Sequence, residues 1–311
     1  MKILVIDLMH ESLLPLLAAK GLSADYRPGI RREQVYAAAG DYEGLVVRSK
    51  IPIDEALLER APRLRFIARA GAGMDQIDVE ACRKRNVALF NAPEGNRVAV
   101  AEHAVGMLLC LFNQLHLADR QVRGGTWDRE GNRGVELMGK TVGIIGYGNT
   151  GREFARRVSA FGCPVLAYDK YRQGYGDALA EESTLETLFE QADVLSLYVP
   201  LTPETLGWVD EAFLGRFRKG VYLVNTARGE IVPLAGLVAA LGSGKVHGAC
   251  LDVLENEKLA TLNPAQRAAF DALAASDRVL LTPHVAGWTH ESYYKINLVL
   301  VEKIARFAAG A

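Results

Sequence analysis

Short apolar runs alternate with amphipathic segments along the first hundred residues. The runs rich in aliphatic and β-branched residues, which are typical of strands, are residues 3–6, 44–47, 65–68 and 87–90. The segments with apolar residues at helical spacing are residues 12–20, 32–39 and 54–60. Strands that alternate with helices assemble into parallel sheets covered on both faces. The pattern therefore predicts an α/β domain.

The alternation resumes after a long segment, residues 97–121, that predicts a single helix. The runs that predict strands in this second part are residues 141–145, 164–168, 194–197, 221–224, 247–251 and 279–281. Six such strands match a doubly wound sheet. A last amphipathic helix at 291–308 has no strand after it, so we expect it to pack on the first domain. We predict two doubly wound domains, residues 1–96 with 288–311 and residues 97–287.

A glycine-rich turn follows the first strand of the second domain. Gly146, Gly148 and Gly151 form the pattern G-x-G-x-x-G, and residues 152–161 then predict a helix. Such glycines allow a tight turn, close approach of a pyrophosphate, and close packing of helix on strand. Asp169 ends the next strand, 18 residues after Gly151, where a carboxylate can accept hydrogen bonds from the ribose of an adenosine. The arrangement predicts dinucleotide binding.

Composition narrows the class of protein. Half of the 311 residues are hydrophobic and the formal charge is −1, so no basic surface for nucleic acid is expected. No apolar run reaches the roughly 18 residues of a membrane span. The first apolar run is short and is typical of a strand, not of a signal peptide. The six histidines show no metal-ligand spacing. The cysteines, which are scattered as in cytoplasmic proteins, are Cys82, Cys110, Cys163 and Cys250.

Three residues with catalytic side chains follow successive strands of the second domain. In open α/β sheets ligands bind beyond the carboxyl ends of the strands. Arg228, Glu257 and His284 lie at such positions. His284 would exchange a proton with a hydroxyl or carbonyl oxygen, Glu257 would orient its imidazole, and Arg228 would hold a carboxylate or polarise a carbonyl. Each alone also fits a solvated loop or a structural histidine; their shared position favours oxidation of a 2-hydroxy acid.

Further segments of the chain resemble the D-isomer-specific 2-hydroxyacid dehydrogenases, the family that contains phosphoglycerate, glycerate and D-lactate dehydrogenases. The matching segments are residues 46–49, 68–75, 91–96, 101–102, 139–148, 199–203, 225–232, 251–253 and 281–284. The resemblance is nearest to phosphoglycerate dehydrogenase-like members without a regulatory domain. It implies a flavodoxin-like substrate domain, a Rossmann domain that binds NAD, a cleft between them, and a homodimer formed through the NAD-binding domains.

By motif position the resemblance assigns roles to individual residues. It implies that Arg228, Glu257 and His284 are catalytic, that Asp252 contacts the nicotinamide carboxamide, and that Asn149 and Thr150 contact the pyrophosphate. The full set expected to bind NAD is Gly146, Gly148, Asn149, Thr150, Gly151, Asp169, Val199, Pro200, Thr226, Ala227, Asp252 and Gly287.

The chain departs from the family pattern around the glutamate. Lys258 stands where the family usually has proline, and the stretch up to His284 is long, with an extra helix predicted at 264–274. The choice of Glu257 over Glu255 as the catalytic glutamate therefore rests on the motif.

Substrate recognition is expected in the first domain. Arg48 and Ser49 resemble the pair that phosphoglycerate dehydrogenases use near the substrate phosphate, although Arg48 also fits an arginine that merely ends a strand. Backbone amides are expected to bind the substrate carboxylate, and Asn96 is expected to add a polar contact. The residues that supply these amides are Ala70, Gly71, Ala72 and Gly73.

The predicted reaction is the NAD-dependent interconversion of a D-2-hydroxy acid and its 2-keto acid, foremost 3-phosphoglycerate and 3-phosphohydroxypyruvate. Reduction of glyoxylate or hydroxypyruvate, and a D-lactate-type activity, remain open. An NAD(H)-sensing, corepressor-like binding protein is the alternative from another class. Asp169 favours NAD over NADP because its carboxylate would repel a 2′-phosphate, while Lys170 and Arg172 are nearby cations that soften this preference.

Overall fold

The computed structural model describes residues 1–310, which fold into two compact units. Unit 1 contains Met1–Arg97 together with the chain from Trp288 onward, and unit 2 contains Val98–Gly287. Each unit has a parallel sheet of its own, as the alternation of strands and helices predicts.

Unit 1 is built on five parallel strands. They are β1 (Lys2–Val5), β2 (Ser23–Tyr26), β3 (Gly44–Val47), β4 (Phe66–Arg69) and β5 (Ala88–Phe90). Their order, β2-β1-β3-β4-β5, is that of flavodoxin-like sheets. The helices of this unit are α1 (Leu13–Ala19), α2 (Arg32–Ala38), α3 (Glu55–Arg60), α4 (Val79–Lys84), the start of α5 (Pro93–Phe112), and α12 (His290–Ala308).

The sequence pattern missed two elements of unit 1. β2 is an edge strand without a fully buried residue, so it has no apolar run to reveal it. α4 spans six residues, of which only Ala81 and Cys82 are buried. Neither element buries enough apolar surface for periodicity to show.

One face of the unit 1 sheet is covered from both ends of the chain. Ile3 and Phe66 of the sheet pack in one core with Leu13 of α1 and with Ile296 and Leu300 of α12, and each of these side chains is buried.

Unit 2 is built on seven parallel strands, one more than predicted. They are β6 (Val142–Ile145), β7 (Val165–Tyr168), β8 (Glu181–Glu182), β9 (Val194–Leu197), β10 (Val221–Asn225), β11 (Val246–Leu251) and β12 (Val279–Leu281). Their order, β12-β11-β10-β9-β6-β7-β8, is the Rossmann order with an added strand β12. The additional strand β8 has two residues, both exposed, and therefore escapes a hydrophobicity pattern.

The remaining helices belong to unit 2. They are α6 (Leu115–Arg123), α7 (Asn149–Val158), α8 (Leu185–Gln191), α9 (Glu211–Gly215), α10 (Leu234–Gly242) and α11 (Pro264–Ala274). α11 has the predicted bounds, and it begins with a capping box between Asn263 and Gln266. It packs on α10.

The prediction of a single helix at 97–121 is wrong, because the structure has two helices there. α5 ends at Phe112 and α6 begins at Leu115, and the two are bent by 60°. Gln114 has a left-handed backbone (φ 52), which interrupts the helical hydrogen bonds although the apolar pattern runs on. No single described helix is long and apolar enough to cross a membrane; the pair α5 and α6 passes that test by length and composition only.

Candidate active site

The glycine-rich turn lies at the carboxyl edge of the unit 2 sheet. Ile145, the last residue of β6, is level with Tyr168 at the end of β7 and with Leu197 at the end of β9. The residues that follow these strands, including Gly146 and Asp169, therefore lie at the same edge.

Each glycine of the motif meets a different steric demand. Gly146 has φ +94, and a Cβ there would lie 2.8 Å from the backbone of Tyr198. A Cβ on Gly151 would overlap the carbonyl oxygen of Gly146, so this glycine permits close packing of α7 on β6. Around Gly148, by contrast, no protein atom lies within 4 Å of such a Cβ. The open space at the start of α7, toward which the first backbone N–H groups of a helix point, fits a pyrophosphate.

α7 begins three residues earlier than predicted. The expected start was residue 152, but the helix begins at Asn149 with Gly148 as its N-cap. Asn149 and Thr150, predicted to contact the pyrophosphate, thus lie in its first turn. The glycine at position 151 concealed this turn because glycine usually marks a break.

Asp169 ties the glycine turn to the loop after β7. Its Oδ2 accepts a hydrogen bond from the backbone N–H of Tyr147 (3.0 Å), and its Oδ1 accepts from that of Tyr171 (3.1 Å). The Tyr147 hydroxyl donates to Asp177 (2.9 Å), which also pairs with Arg152 (2.8 Å). Burial alone would raise the pKa of Asp177, but hydrogen bonds from Arg152, Leu179 and Tyr147 outweigh it and lower the pKa to about 2.

Other residues predicted to bind NAD follow neighbouring strands. Val199 and Pro200 come after β9, and Thr226 and Ala227 come after β10. The Ala227 N–H donates to Asn225 Oδ1 (3.0 Å), which fixes the turn. The hydroxyl oxygen of Thr226 is buried without a hydrogen-bond partner.

Asp252, directly after β11, is 1% exposed. Its carboxylate accepts hydrogen bonds from the Thr282 hydroxyl (2.6 Å) and from the backbone N–H groups of Val285 (2.9 Å) and Ala286 (2.8 Å). Its carbonyl oxygen accepts from the N–H of His284 (2.8 Å). Asp252 therefore holds the loop that carries His284; its expected contact with the nicotinamide stays a prediction.

Sequence reasoning missed His103, which belongs to this network. Its Nε2 lies 3.1 Å from Thr282 Oγ1 and 3.6 Å from Asp252 Oδ1. Because the single hydroxyl proton of Thr282 is donated to Asp252, Thr282 Oγ1 accepts from His103. The only hint in the sequence was its place beside Glu102 in a segment that matches the family.

His284 and Glu257 are in direct contact. Nδ1 of His284 lies 2.8 Å from Oε1 and 3.0 Å from Oε2 of Glu257, and each side chain is 47% exposed. His284 has φ 55, a left-handed conformation uncommon outside glycine. Glu255, the alternative, instead accepts a hydrogen bond from the Leu234 N–H at the start of α10 (3.0 Å). The structure thus brings Glu257 to the imidazole and leaves Glu255 with α10.

Arg228 follows β10 at the same edge. Its Nη1 donates to the carbonyl oxygen of Ala227 (2.6 Å), and its own carbonyl accepts from Asn225 Nδ2 (2.9 Å). A Cβ on the next residue, Gly229, would overlap the backbone of Leu254. The loop after β10 therefore packs tightly on the loop after β11, which leads to Glu257.

In unit 1, Arg48 follows β3 and lies against aromatic rings. Its guanidinium carbon is 4.3 Å from the ring centre of Trp288 and 5.2 Å from that of Tyr293. Its backbone N–H donates to Asp7 Oδ2 (2.6 Å). Within residues 1–310 the guanidinium forms no ion pair with a carboxylate. Ser49 is exposed beside it.

The predicted carboxylate-binding amides differ in their availability. Ala70 N–H donates to Val47 O (2.7 Å) and Gly71 N–H to Arg69 O (2.9 Å). These two donors are used inside unit 1, whereas Ala72 and Gly73 have no backbone acceptor in the described structure. The side-chain oxygen of Asn96 is buried without a partner.

Residues 1–310 contain no group of three or more His, Cys, Asp or Glu side chains arranged to hold a metal ion. All four cysteines are free thiols.

Similarity to known proteins agrees with this geometry. Residues 105–286 match the family model "D-isomer specific 2-hydroxyacid dehydrogenase, NAD binding domain". The chain is 36% identical to D-3-phosphoglycerate dehydrogenase of Archaeoglobus fulgidus over all of this chain and 58% of that protein. It is 35% identical to hydroxypyruvate reductase of Thermotoga maritima over 88% of each. The chain thus spans just over half the length of its phosphoglycerate dehydrogenase relatives.

A solved structure shares the whole fold. D-lactate dehydrogenase from Aquifex aeolicus, determined with NAD and lactic acid, superposes with a TM-score of 0.84 at 29% identity over 99% of this chain and 96% of that one. The NAD-binding domain match and the glycine-turn geometry identify unit 2 as an NAD-binding Rossmann domain. The chain belongs to the D-isomer specific 2-hydroxyacid dehydrogenase family.

Proposed function

We propose that the protein is an NAD-dependent oxidoreductase that interconverts a D-2-hydroxy acid and its 2-keto acid. The contact between His284 Nδ1 and Glu257 carries the proposal. Because Glu257 occupies Nδ1, Nε2 is the nitrogen that exchanges a proton with the substrate oxygen. Glu257 fixes the orientation of the ring and stabilises the imidazolium that forms when the hydroxyl is oxidised.

The other predicted residues complete the reaction. NAD, when bound, accepts the hydride in oxidation and its reduced form returns it. Gly148 and the first turn of α7 would hold the pyrophosphate, and Asp169 would accept from the ribose hydroxyls. Arg228 would bind the substrate carboxylate through its planar fork of donors.

For the substrate we propose 3-phosphoglycerate and 3-phosphohydroxypyruvate. Arg48 lies on two aromatic faces that orient the guanidinium, and no described carboxylate neutralises it. A phosphate is a matching partner for such an arginine. Several curated relatives are named D-3-phosphoglycerate dehydrogenase, but another is named hydroxypyruvate reductase, and this keeps the smaller keto acids as the second candidates.

A panel of substrates tests both the proposed reaction and the proposed substrate. NADH oxidation is measured with 3-phosphohydroxypyruvate, hydroxypyruvate, glyoxylate and pyruvate, and the specificity constants are compared. We expect the phosphorylated acid to be preferred. A preference for hydroxypyruvate or glyoxylate would make the protein a glycerate or glyoxylate reductase. NADH binding without turnover of any keto acid would favour the corepressor-like alternative.

We also propose a homodimer formed through unit 2. Large apolar side chains are exposed on α6 and on the segment after it, namely Leu115, Val122, Trp127, Val135 and Met138. Exposed large apolar side chains are typical of a protein interface when they form one surface patch. Light scattering should give twice the chain mass, and Trp127→Ser with Met138→Ser should shift the protein toward the monomer. A monomeric wild type would contradict this proposal.

A cytoplasmic location, suggested by the four free thiols, is likewise proposed.

A further inference from the structure

The two cations that follow Asp169 are both occupied by other groups of unit 2. Lys170 Nζ lies 2.6 Å from Oε2 of Glu204. Arg172 Nη1 donates to the carbonyl oxygen of Tyr147 in the glycine turn (2.5 Å). The residues closest in sequence to the ribose-binding carboxylate thus direct their positive charges at protein acceptors.

Glu204 reaches Lys170 from the other side of the glycine turn. It lies in the loop after β9, whereas Lys170 follows β7, and β6 with its glycine turn lies between these two strands in the sheet. The hydroxyl of Tyr171 donates to the same Oε2 of Glu204 (2.7 Å). Three side chains therefore form a bridge across the carboxyl end of β6, where the adenosine half of a dinucleotide is held.

The bridge is a charged one. The hydrogen bond from Lys170, followed by that from Tyr171, lowers the pKa of Glu204, so the carboxylate is ionised at neutral pH. The lysine is 54% and the glutamate 56% exposed, so the pair is too solvated to add much to stability. The pair can still affect the binding of a charged ligand, because a lysine next to Asp169 in the sequence could otherwise pair with a 2′-phosphate.

We propose that Glu204 is a specificity-determining residue for the cofactor. By holding Lys170, it withholds from NADP the cation that would offset the repulsion between Asp169 and the 2′-phosphate. NAD has a free 2′-hydroxyl at this position and requires no such cation. Discrimination between the two cofactors then depends on two carboxylates, Asp169 next to the ribose and Glu204 across the glycine turn.

The test is the binding of the two reduced cofactors to Glu204→Gln without any substrate. Dissociation constants for NADH and NADPH are measured by nicotinamide fluorescence and by calorimetry. We expect the ratio of the NADPH dissociation constant to the NADH dissociation constant to fall by roughly three- to tenfold. This is the effect expected in water when one positive charge, that of Lys170, becomes available near a phosphate. The change in this ratio should be smaller in 1 M salt, where the Debye length is about 3 Å and the attraction between the lysine and the phosphate is screened.

Two further variants separate the mechanism from a general change of charge. Glu190→Gln removes the same charge from an ion pair of similar exposure with Arg218, at the opposite edge of the sheet, and should leave the ratio unchanged. Glu204→Gln combined with Lys170→Met should return the ratio to the wild-type value. An unchanged ratio in Glu204→Gln, an equal shift in Glu190→Gln, or a gain that survives loss of Lys170 would each overturn the inference.

The inference rests on dinucleotide binding but fails separately from the proposed reaction. Wild-type protein that binds NADH and turns over no keto acid would defeat the proposed activity alone. Wild-type protein that turns over a keto acid, with variants whose cofactor ratio does not move, would defeat the role of Glu204 alone.

Discussion

The candidate catalytic groups of unit 2 and the candidate anion site of unit 1 are held in opposite ways. In unit 2, His284 has Glu257 at Nδ1, and the buried carboxylate of Asp252 accepts three hydrogen bonds. In unit 1, Arg48 lies on the faces of Trp288 and Tyr293 and forms no ion pair with a described carboxylate. The candidate catalytic groups are thus positioned by polar contacts, whereas the arginine proposed to select the substrate is positioned by aromatic packing and has no carboxylate partner in the described chain.

The largest expected effect lies on the unit 2 side of this comparison. His284→Ala removes the proposed acid–base group and should lower kcat by roughly 100- to 10,000-fold. NADH affinity should barely change, because the residues proposed to bind the dinucleotide are those of the glycine turn and Asp169. Stopped-flow or steady-state assays measure the loss, and fluorescence titration measures the affinity. His247→Ala, at the amino end of β11 in the same sheet, is the control and should retain its rate. Near wild-type turnover in His284→Ala would place the proton transfer elsewhere.

On the unit 1 side, Arg48→Ala should act on one substrate only. A charge-assisted hydrogen bond contributes about 1.5–3 kcal/mol, so kcat/KM for 3-phosphohydroxypyruvate should fall roughly tenfold to a hundredfold. Glyoxylate, which has no phosphate, should be used almost as well as before. Equal losses with both substrates would show that Arg48 is structural or binds the carboxylate that they share.

Asp252→Asn tests whether the catalytic loop is positioned by its buried acceptor. The amide nitrogen would face hydrogen-bond donors in place of an acceptor, and the free energy of unfolding should fall by about 1–3 kcal/mol. Denaturant titration measures this change, and a lower kcat should accompany it because the loop with His284 loosens. Asp277→Asn, which changes an exposed ion pair of the same unit, should change stability by less than about 1 kcal/mol. Unaltered stability in Asp252→Asn would argue against the positioning role.

The smallest effect is expected from Glu257→Gln. The imidazolium that forms in the proposed reaction loses a negatively charged neighbour, so kcat should fall. Because the pair is half exposed, a loss of roughly two- to fivefold is expected, measured in steady-state assays. Glu255→Gln should leave kcat unchanged, since Glu255 contacts the start of α10. The opposite result for the two variants would restore Glu255 as the partner of His284.

The sequence could predict the elements that bury continuous apolar surface, and with them the two sheets. It could not predict β2 or β8, which lack a buried run, or the break at Gln114, where the backbone turns left-handed without a glycine or proline. The bounds of α11 were predictable because Pro264 follows a capping asparagine.

Prediction of the candidate site had a similar limit. Glu255 and Glu257 stand in one acidic run, and no one-dimensional pattern tells which of them reaches an imidazole that follows another strand. The contact of Arg48 with Trp288 and the place of His103 beside Asp252 join residues far apart in the chain, so they require the fold.

The return of α12 to unit 1 has a consequence for how the chain folds as it is synthesised. Ile3 and Phe66 emerge from the ribosome early, yet the side chains that cover them, Ile296 and Leu300, emerge only after the whole of unit 2. Unit 2 is continuous in sequence and is complete before that point. We therefore expect unit 2 to become protease-resistant first, while the sheet of unit 1 exposes apolar surface that chaperones can bind until α12 is released.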